Sequence, residues 1–336
     1  MKPQIYKKLP KHISSDIINA YDSAVNELII TRNPKYKNEK NSLGFKKAIQ
    51  NIKKNTKPIF IFYPWLKKVV KTIPEKKFFE LRTARNKNLI STTEQNKIRS
   101  LKIGIIGLSV GSCILENITI SSGPKNIKIA DPDNLEISNL NRLKATILDI
   151  GKNKCSIAEE RAYFIDPFLN IETFPEGINK NNLQNFLLKP KINILIDATD
   201  NIQLKIEVRH LCKKNKIPVI MATDLSDSVV LDIERFDLDP TIPIFHGSIN
   251  NFILQNLQTL NKTEWIKIAN KIIGEKYINK KMQQSLFEVG KSLAGVPQLG
   301  STANMAGVII NYVIKKIALK ESVNSGKYFI NLENIL

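Results

Sequence analysis

Cysteine is scarce in this chain. The three cysteines, Cys113, Cys155 and Cys212, are widely spaced and form no C-x-x-C pair. That pattern excludes a disulfide framework and a cysteine-based zinc site. Each stands in an apolar or helical context and reads as a small buried hydrophobe. Long apolar runs are missing too. No stretch approaches ~18 apolar residues, so no membrane span is predicted. The opening "MKPQIYKKLPKHISSDIINAYDS" lacks the apolar centre of a signal peptide, which predicts a soluble, cytoplasmic protein. Acidic residues are outnumbered: 31 Asp and Glu face 51 Lys and Arg, a formal net charge of +20. Such a balance suits an anionic partner. The lysines, however, are dispersed ("KKNTK", "NKNK", "KKNK") rather than gathered in a block with interleaved aromatics. Compositional drift is favoured over an anionic partner as their source, and a nucleic-acid partner is kept as the less favoured alternative.

What is present begins with length: 336 residues suffice for one large domain or two smaller ones. Residues 1–98 read as a mainly helical extension. Ser14, Ser15 and Asp16 are capping candidates before "IINAYDSAVNELII". "KPIFIFYPW" is strand-like and stops at Pro64, and "WLKKVVKTIP" has the spacing of an amphipathic helix ended before Pro74. A further helix start stands at Ser91, Thr92 and Thr93, with Glu94 behind it. From residue 99 a second domain runs to residue 336. Its strands "KIGIIG", "NIKIAD", "INILIDAT" and "PVIMATD" alternate with helices. Continuously apolar strands in that alternation predict an α/β fold with a doubly wound, mostly parallel sheet. Residues 251–294 read as helices, and "MAGVIINYVIKKIAL" as a long apolar one.

The turn in "KIGIIGLSVGS", residues 102–112, carries the chemical question. A strand, a glycine turn and a helix start make a phosphate site, because backbone N–H groups face the anion. Against G-x-G-x-x-G the positions hold Gly107, Ser109 and Ser112, with Gly111 one place early. Asp131 follows Gly107 by 24 residues, near the usual distance for a ribose-holding carboxylate. An NAD-dependent oxidoreductase needs little more. This chain adds Asp133, Asn139, Arg142, Lys152 and Lys154, and those cations suit a triphosphate whose leaving group departs with charge. Gly107-x-Ser109-x-Gly111 also fits a hydrolase nucleophile elbow, with Asp237, Asp239 and His246 downstream. No HGGG-type oxyanion segment accompanies it, and the strands expected before an elbow are missing. A third cluster, Asp197, Asp200 and Asn201, ends a buried strand, where ligands collect in open α/β sheets.

These motifs, with "DIGKNK" and the closing "VPQLGSTANMAGVIINYVIKKIAL", resemble the ThiF/MoeB and ubiquitin-activating-enzyme adenylyltransferase superfamily over residues 99–320. The resemblance implies an enzyme that binds ATP and Mg²⁺ and activates a substrate carboxylate as an acyl-adenylate, releasing pyrophosphate. It assigns catalysis to Arg142, Lys154, Asp200 and Arg85, with Arg82 as second choice to Arg85. It places the nucleotide against Gly107, Ser109, Gly111, Asp131, Asp133, Asn139 and Asn201, with the metal on Asp200. It also implies a homodimer in which Arg85 crosses to the partner's site. The substrate expected is a carboxylate-bearing peptide, small protein or small molecule.

Departures stand beside the matches. Leu143 replaces the usual Gln, serines replace two glycines, and residues 223–294 contain no cysteine for a thioester. A bacterial branch without zinc cysteines shares the PW-containing leader and the "RT-RN" run. The alternatives are a nucleotide-binding protein without turnover and a tRNA-modifying relative. His246, in the segment that replaces the thioester region, reads either as a site residue or as a turn-capping histidine.

Overall fold

The computed structural model describes residues 1–13, 15–249 and 262–334, and it divides into two compact units. The first comprises Met1–Asn96 with Ala162–Leu169, the second Lys97–Arg161 with Asn170–Leu336.

The first unit holds more strand than its sequence suggests. Strands β1 (Gln4–Tyr6), β2 (Ile17–Asn19), β3 (Ile59–Tyr63) and β4 (Lys68–Thr72) form a sheet in the order β1-β3-β4-β2. The segment expected as the helix "WLKKVVKTIP" therefore carries strand β4 and no helix. Val69 and Val70 are β-branched, and β4 gains a hairpin partner in β3, so ladder pairing overrides the helical spacing of its lysines. Asp16 does not cap a helix either: it precedes β2 and pairs with Lys68 at 2.6 Å. Ser14 lies outside the described residues. Helix α1 (Tyr21–Arg32) starts later than expected, and α2 (Leu43–Asn55) is capped by Ser42 Oγ, which accepts from Phe45 N at 3.1 Å. Tyr21, Val25, Ile29, Phe45 and Ile73 form the core. After α3 (Glu75–Arg82), α4 (Thr92–Ser100) opens on a capping box: Glu94 accepts from Ser91 N at 2.8 Å and Ser91 from Glu94 N at 3.3 Å.

The second unit is the doubly wound α/β domain. Its strands are β5 (Lys102–Ile106), β6 (Asn126–Ala130), β7 (Asn170–Phe174), β8 (Ile194–Asp197), β9 (Val219–Leu225), β10 (Ser228–Glu234) and β11 (Gly326–Asn331). They run in the order β11-β10-β9-β8-β5-β6-β7. The five strands from β9 to β7 are parallel, while β10 and β11 close the edge antiparallel. β5 lies between β6 and β8, so the order reverses there and a crevice opens beyond the carboxyl ends of β5 and β8. Helices α5 (Val110–Ile120), α6 (Lys154–Ile165), α7 (Leu183–Leu188) and α8 (Ile202–Lys214) follow the strands. Phe186, Ile206, Val208 and Cys212 pack with Val219 and Met221 on one face. Helix α11 (Gly300–Ala318) packs with α5 on the other. Between β10 and α11 lie α9 (Lys262–Ile273) and α10 (Lys280–Glu288). The helices expected over 251–294 are present there. Residues 250–261 lie outside the described residues, and Val289–Leu299 is irregular.

Candidate active site at the glycine turn

Gly107 links β5 to α5 with φ +88°, a conformation that favours glycine. A Cβ there would collide with the carbonyl of Ala198. The absence of that atom lets the glycine turn lie directly on the loop after β8. Gly111 serves helix packing instead, since a Cβ would stand 3.1 Å from Ile105 Cγ2. Ser112, at the third fingerprint position, donates its hydroxyl to Ser109 O at 2.9 Å.

Two groups of the expected residues come together at this turn. In one, Asp131 ties the turn to the end of β6: Oδ2 accepts from Leu108 N at 2.6 Å and Oδ1 from Asp133 N at 2.9 Å. Burial pushes the Asp131 carboxyl up, against those two N–H donors. Lys154 Nζ stands 2.7 Å from Asp133 and 3.9 Å from Asp131. In the other, Arg142 Nε donates to Ser109 Oγ at 2.9 Å. Its Nη1 points to Asn141 Oδ1 at 2.9 Å and, more weakly, to Ser138 O at 3.4 Å. The serine in place of the second glycine thus holds the arginine against the turn.

Other expected residues have local tasks in the structure. Asn139 Oδ1 accepts from Glu136 N at 3.1 Å, closing its own turn. Asn201 caps α8 by accepting from Leu204 N at 3.0 Å. Asp200 is exposed in the loop that lies against Gly107. Lys152 pairs with Asp149 at 2.9 Å. In the first unit, Arg85 is exposed in the short turn Ala84–Asn86, whereas Arg82 pairs with buried Asp166 at 3.3 Å.

Asp197 does not belong with the ligand-facing carboxylates. It is fully buried and paired with Lys205 at 3.0 Å and Arg209 at 2.5 Å. Burial opposes its ionisation, yet these two cations hold its carboxyl below the usual range. Arg209 also bonds Glu234 at 2.5 Å and lies over the Phe245 ring at 4.0 Å. Next to this network His246 takes a left-handed backbone, φ +55°, and meets Asp232 at 2.8 Å. That hydrogen bond holds the imidazole above its ordinary pKa.

Sequence reasoning missed Gln298, Asp224 and Asn141. Gln298 Oε1 faces Ser109 Oγ at 3.4 Å, its Nε2 donates to both Asp224 oxygens at 3.1 Å, and its main-chain O accepts from Asn141 Nδ2 at 2.9 Å. The available signal was a carboxylate at the end of the apolar strand "VIMATD" and a lone Gln just before the glycine that opens α11.

A family model described as the ThiF family matches residues 83–334. The chain belongs to the ThiF family. An uncharacterized protein of Mycobacterium tuberculosis (strain CDC 1551 / Oshkosh), MT1398, is 30% identical over 275 residues, covering 82% of this chain and 38% of that protein. A tRNA threonylcarbamoyladenosine dehydratase of Haemophilus influenzae is 30% identical over 44% of this chain and 58% of its own length. The molybdopterin-synthase adenylyltransferase of the same organism is 25% identical over 48% of this chain and 65% of its own. The chain therefore spans less than two thirds of each of these relatives. The crystal structure of PaaA shares the fold, with a TM-score of 0.55, 18% identity and 77% of both chains covered.

Within the ThiF-family domain, two sequence departures have structural reasons. Leu143 packs with Leu135 and Ile157 beneath the loop that carries Arg142. Ser109 supplies the hydroxyl that Arg142 uses. The cysteines are all buried. Burial pushes the Cys155 thiol up to about 12 and raises Cys113 and Cys212 as well. Such thiols supply little thiolate for thioester chemistry. Replacing Cys113, Cys155 and Cys212 together with alanine is expected to leave ATP–pyrophosphate exchange intact. A thiol-sensitive conjugate on a non-reducing gel would contradict this.

Proposed function

We propose that the chain is an adenylyltransferase that activates a substrate carboxylate with ATP. A carboxylate oxygen attacks the α-phosphorus, the bond from that phosphorus to the bridging oxygen breaks, and pyrophosphate leaves with its electron pair. The observation that carries this reading is the Arg142–Ser109 contact, which seats a guanidinium on the glycine turn at the switch point of the sheet. Among the described residues Arg142 Nη2 makes no hydrogen bond, which leaves it for a phosphate oxygen. The start of α5 adds backbone N–H groups, and Lys154 adds a second cation. Asp131 takes the ribose. Mg²⁺ held chiefly by phosphates needs only one or two protein carboxylates, and exposed Asp200 suits that task. The metal would neutralise triphosphate charge. The experiment is exchange of labelled pyrophosphate into ATP across peptides, small acids and ubiquitin-like tails. Failure of the whole panel, with ATP shown to bind, sinks the reading.

The resemblance further supports a homodimer with shared sites. Arg142 and Lys154 both come from the segment after β6, so cations on the far side of ATP must come from elsewhere. Arg85→Ala and Arg142→Ala proteins are each expected to be nearly inactive. Mixing them should restore up to about half the site activity in each heterodimer, because one site inherits both lesions and the other neither. No recovery in proven heterodimers rules out sharing.

Two observations favour a second reading, action on tRNA. The dehydratase relative is named for a tRNA substrate, and this chain carries a formal charge of +20. Binding of tRNA that weakens with salt more steeply than for a neutral control would support it.

A further inference from the structure

Asp224 is a buried carboxyl whose visible side-chain hydrogen bond does not require a charge. It is the sixth residue of β9, at the carboxyl edge of the sheet. Val219 and Met221 belong to the core beneath α8, so strand alternation puts Asp224 on the opposite face, beside the start of α5. It is 8% exposed, desolvated but not sealed. Gln298 Nε2 donates to both of its oxygens. No ion pair reaches it among the described residues.

Orienting Gln298 is one task for this side chain, and the relay then steadies Ser109 and Arg142. That task needs an acceptor, not a charge, and asparagine would supply the acceptor at a lower desolvation cost. Burial pushes the Asp224 carboxyl up, against the hydrogen bond from Gln298 and the nearby charge of Arg142, whose Nε and Nη1 are aimed at Ser109, Ser138 and Asn141. A bare carboxylate facing a triphosphate across this turn would be repelled unless a cation stood between them. Phosphate-held Mg²⁺ already has Asp200 for its carboxylate, and among the described residues no group of three His, Cys, Asp or Glu is placed to hold a metal ion without phosphates. An organic ammonium needs only the one carboxylate.

We propose that Asp224 receives a primary ammonium group of the acyl substrate, so that the acid activated carries an amine a few bonds from its carboxylate. One amide group separates the Ser109 hydroxyl from the Asp224 carboxylate, which limits the reach to a short, amino-acid-like span. The proposal rests on the adenylation reading for its reaction but not for its binding.

The test loads the protein with a non-hydrolysable ATP analogue and titrates glycine, β-alanine, γ-aminobutyrate and lysine by calorimetry, each against its N-acetyl form. Pyrophosphate exchange is run on the same panel. The amines are expected to bind and the N-acetyl forms to bind roughly 10–100-fold more weakly, the usual span for a charged hydrogen bond. Asp224→Asn, which keeps the acceptor for Gln298, should raise the KM for the amine by a similar factor. The affinity for the analogue should fall far less than that for the amine, and Asp224→Glu should restore part of the loss. Equal binding of N-acetyl forms, binding by no member, or equal loss of analogue and amine affinity in Asp224→Asn would each overturn the proposal. Amine binding that depends on Asp224 without exchange leaves the ammonium site standing and removes the adenylation reading. Exchange with neutral acids alone does the reverse.

Discussion

Arg142→Ala is expected to lower pyrophosphate exchange by roughly 10²–10³-fold, the range for removing one preorganised donor to developing charge. The side chain is half-buried, and burial works against its charge, so the protein has placed a desolvated cation on the turn rather than on the surface. Its Nε is committed to Ser109 and its Nη1 to Asn141, which fixes the plane of the guanidinium before substrate arrives. Arg142→Lys keeps a charge but cannot keep that fork, so it should recover only a small part of the loss. Ser109→Gly restores the usual fingerprint residue yet removes the hydroxyl, and should fall between wild type and Arg142→Ala. Exchange kinetics with any acid that supports turnover provide the measurement. Wild-type rates in Arg142→Ala would remove this residue from the mechanism.

Arg209→Met is expected to cost about 3–5 kcal/mol of stability, the span for stranding a buried ion-pair partner. Arg209, Asp197 and Glu234 have fully buried side chains, and the guanidinium also stacks on Phe245. Its removal leaves Glu234 without a cation and Asp197 with Lys205 alone. The pH dependence contributed by Asp197 changes sign, while Glu234, pushed up by burial already in the wild type, keeps its own. In the wild type the depressed Asp197 contributes stability above the ordinary carboxylate range, lost as pH falls through its lowered pKa. In the variant the stranded carboxylates titrate higher, so stability should drop as pH rises through their raised values. Urea midpoints followed by circular dichroism across pH 4–8, about the span in which such carboxylates titrate, test both statements. Adding Glu234→Gln to Arg209→Met should return part of the loss. An unchanged midpoint in Arg209→Met would show that the network contributes nothing net.

Much of the second unit was legible because its strands are continuous apolar runs. "KIGII", "NIKIA", "ILID" and "VIMATDL" are buried on both faces, and that pattern has few other solutions. The first unit was harder. Val69 and Val70 stand among lysines at helical spacing, and only the hairpin with Ile59–Tyr63 resolves them into a strand. The strand Gly326–Asn331 was not read at all. It lies at the edge of the sheet, is half-buried and mixes Lys, Tyr and Asn, so no alternation marks it.

At the glycine turn the division is similar. The residue order alone marked a candidate phosphate turn, because a strand, Gly107 and a helix start form a local motif whose backbone geometry follows from neighbouring residues. It also marked Asp131 as a candidate by its distance from that turn, while the role of Arg142 came from the family resemblance. Only the tertiary structure separated Asp197 from Asp200. The two are three positions apart, yet one is sealed against Arg209 and the other reaches solvent. Only the tertiary structure brought Gln298 to Ser109 across 189 residues of chain and to Asp224 across 74. Spacing along a chain fixes which groups share a turn. Which long-range groups share a desolvated volume, and so acquire shifted charges and partners, depends on how the sheet and α11 pack.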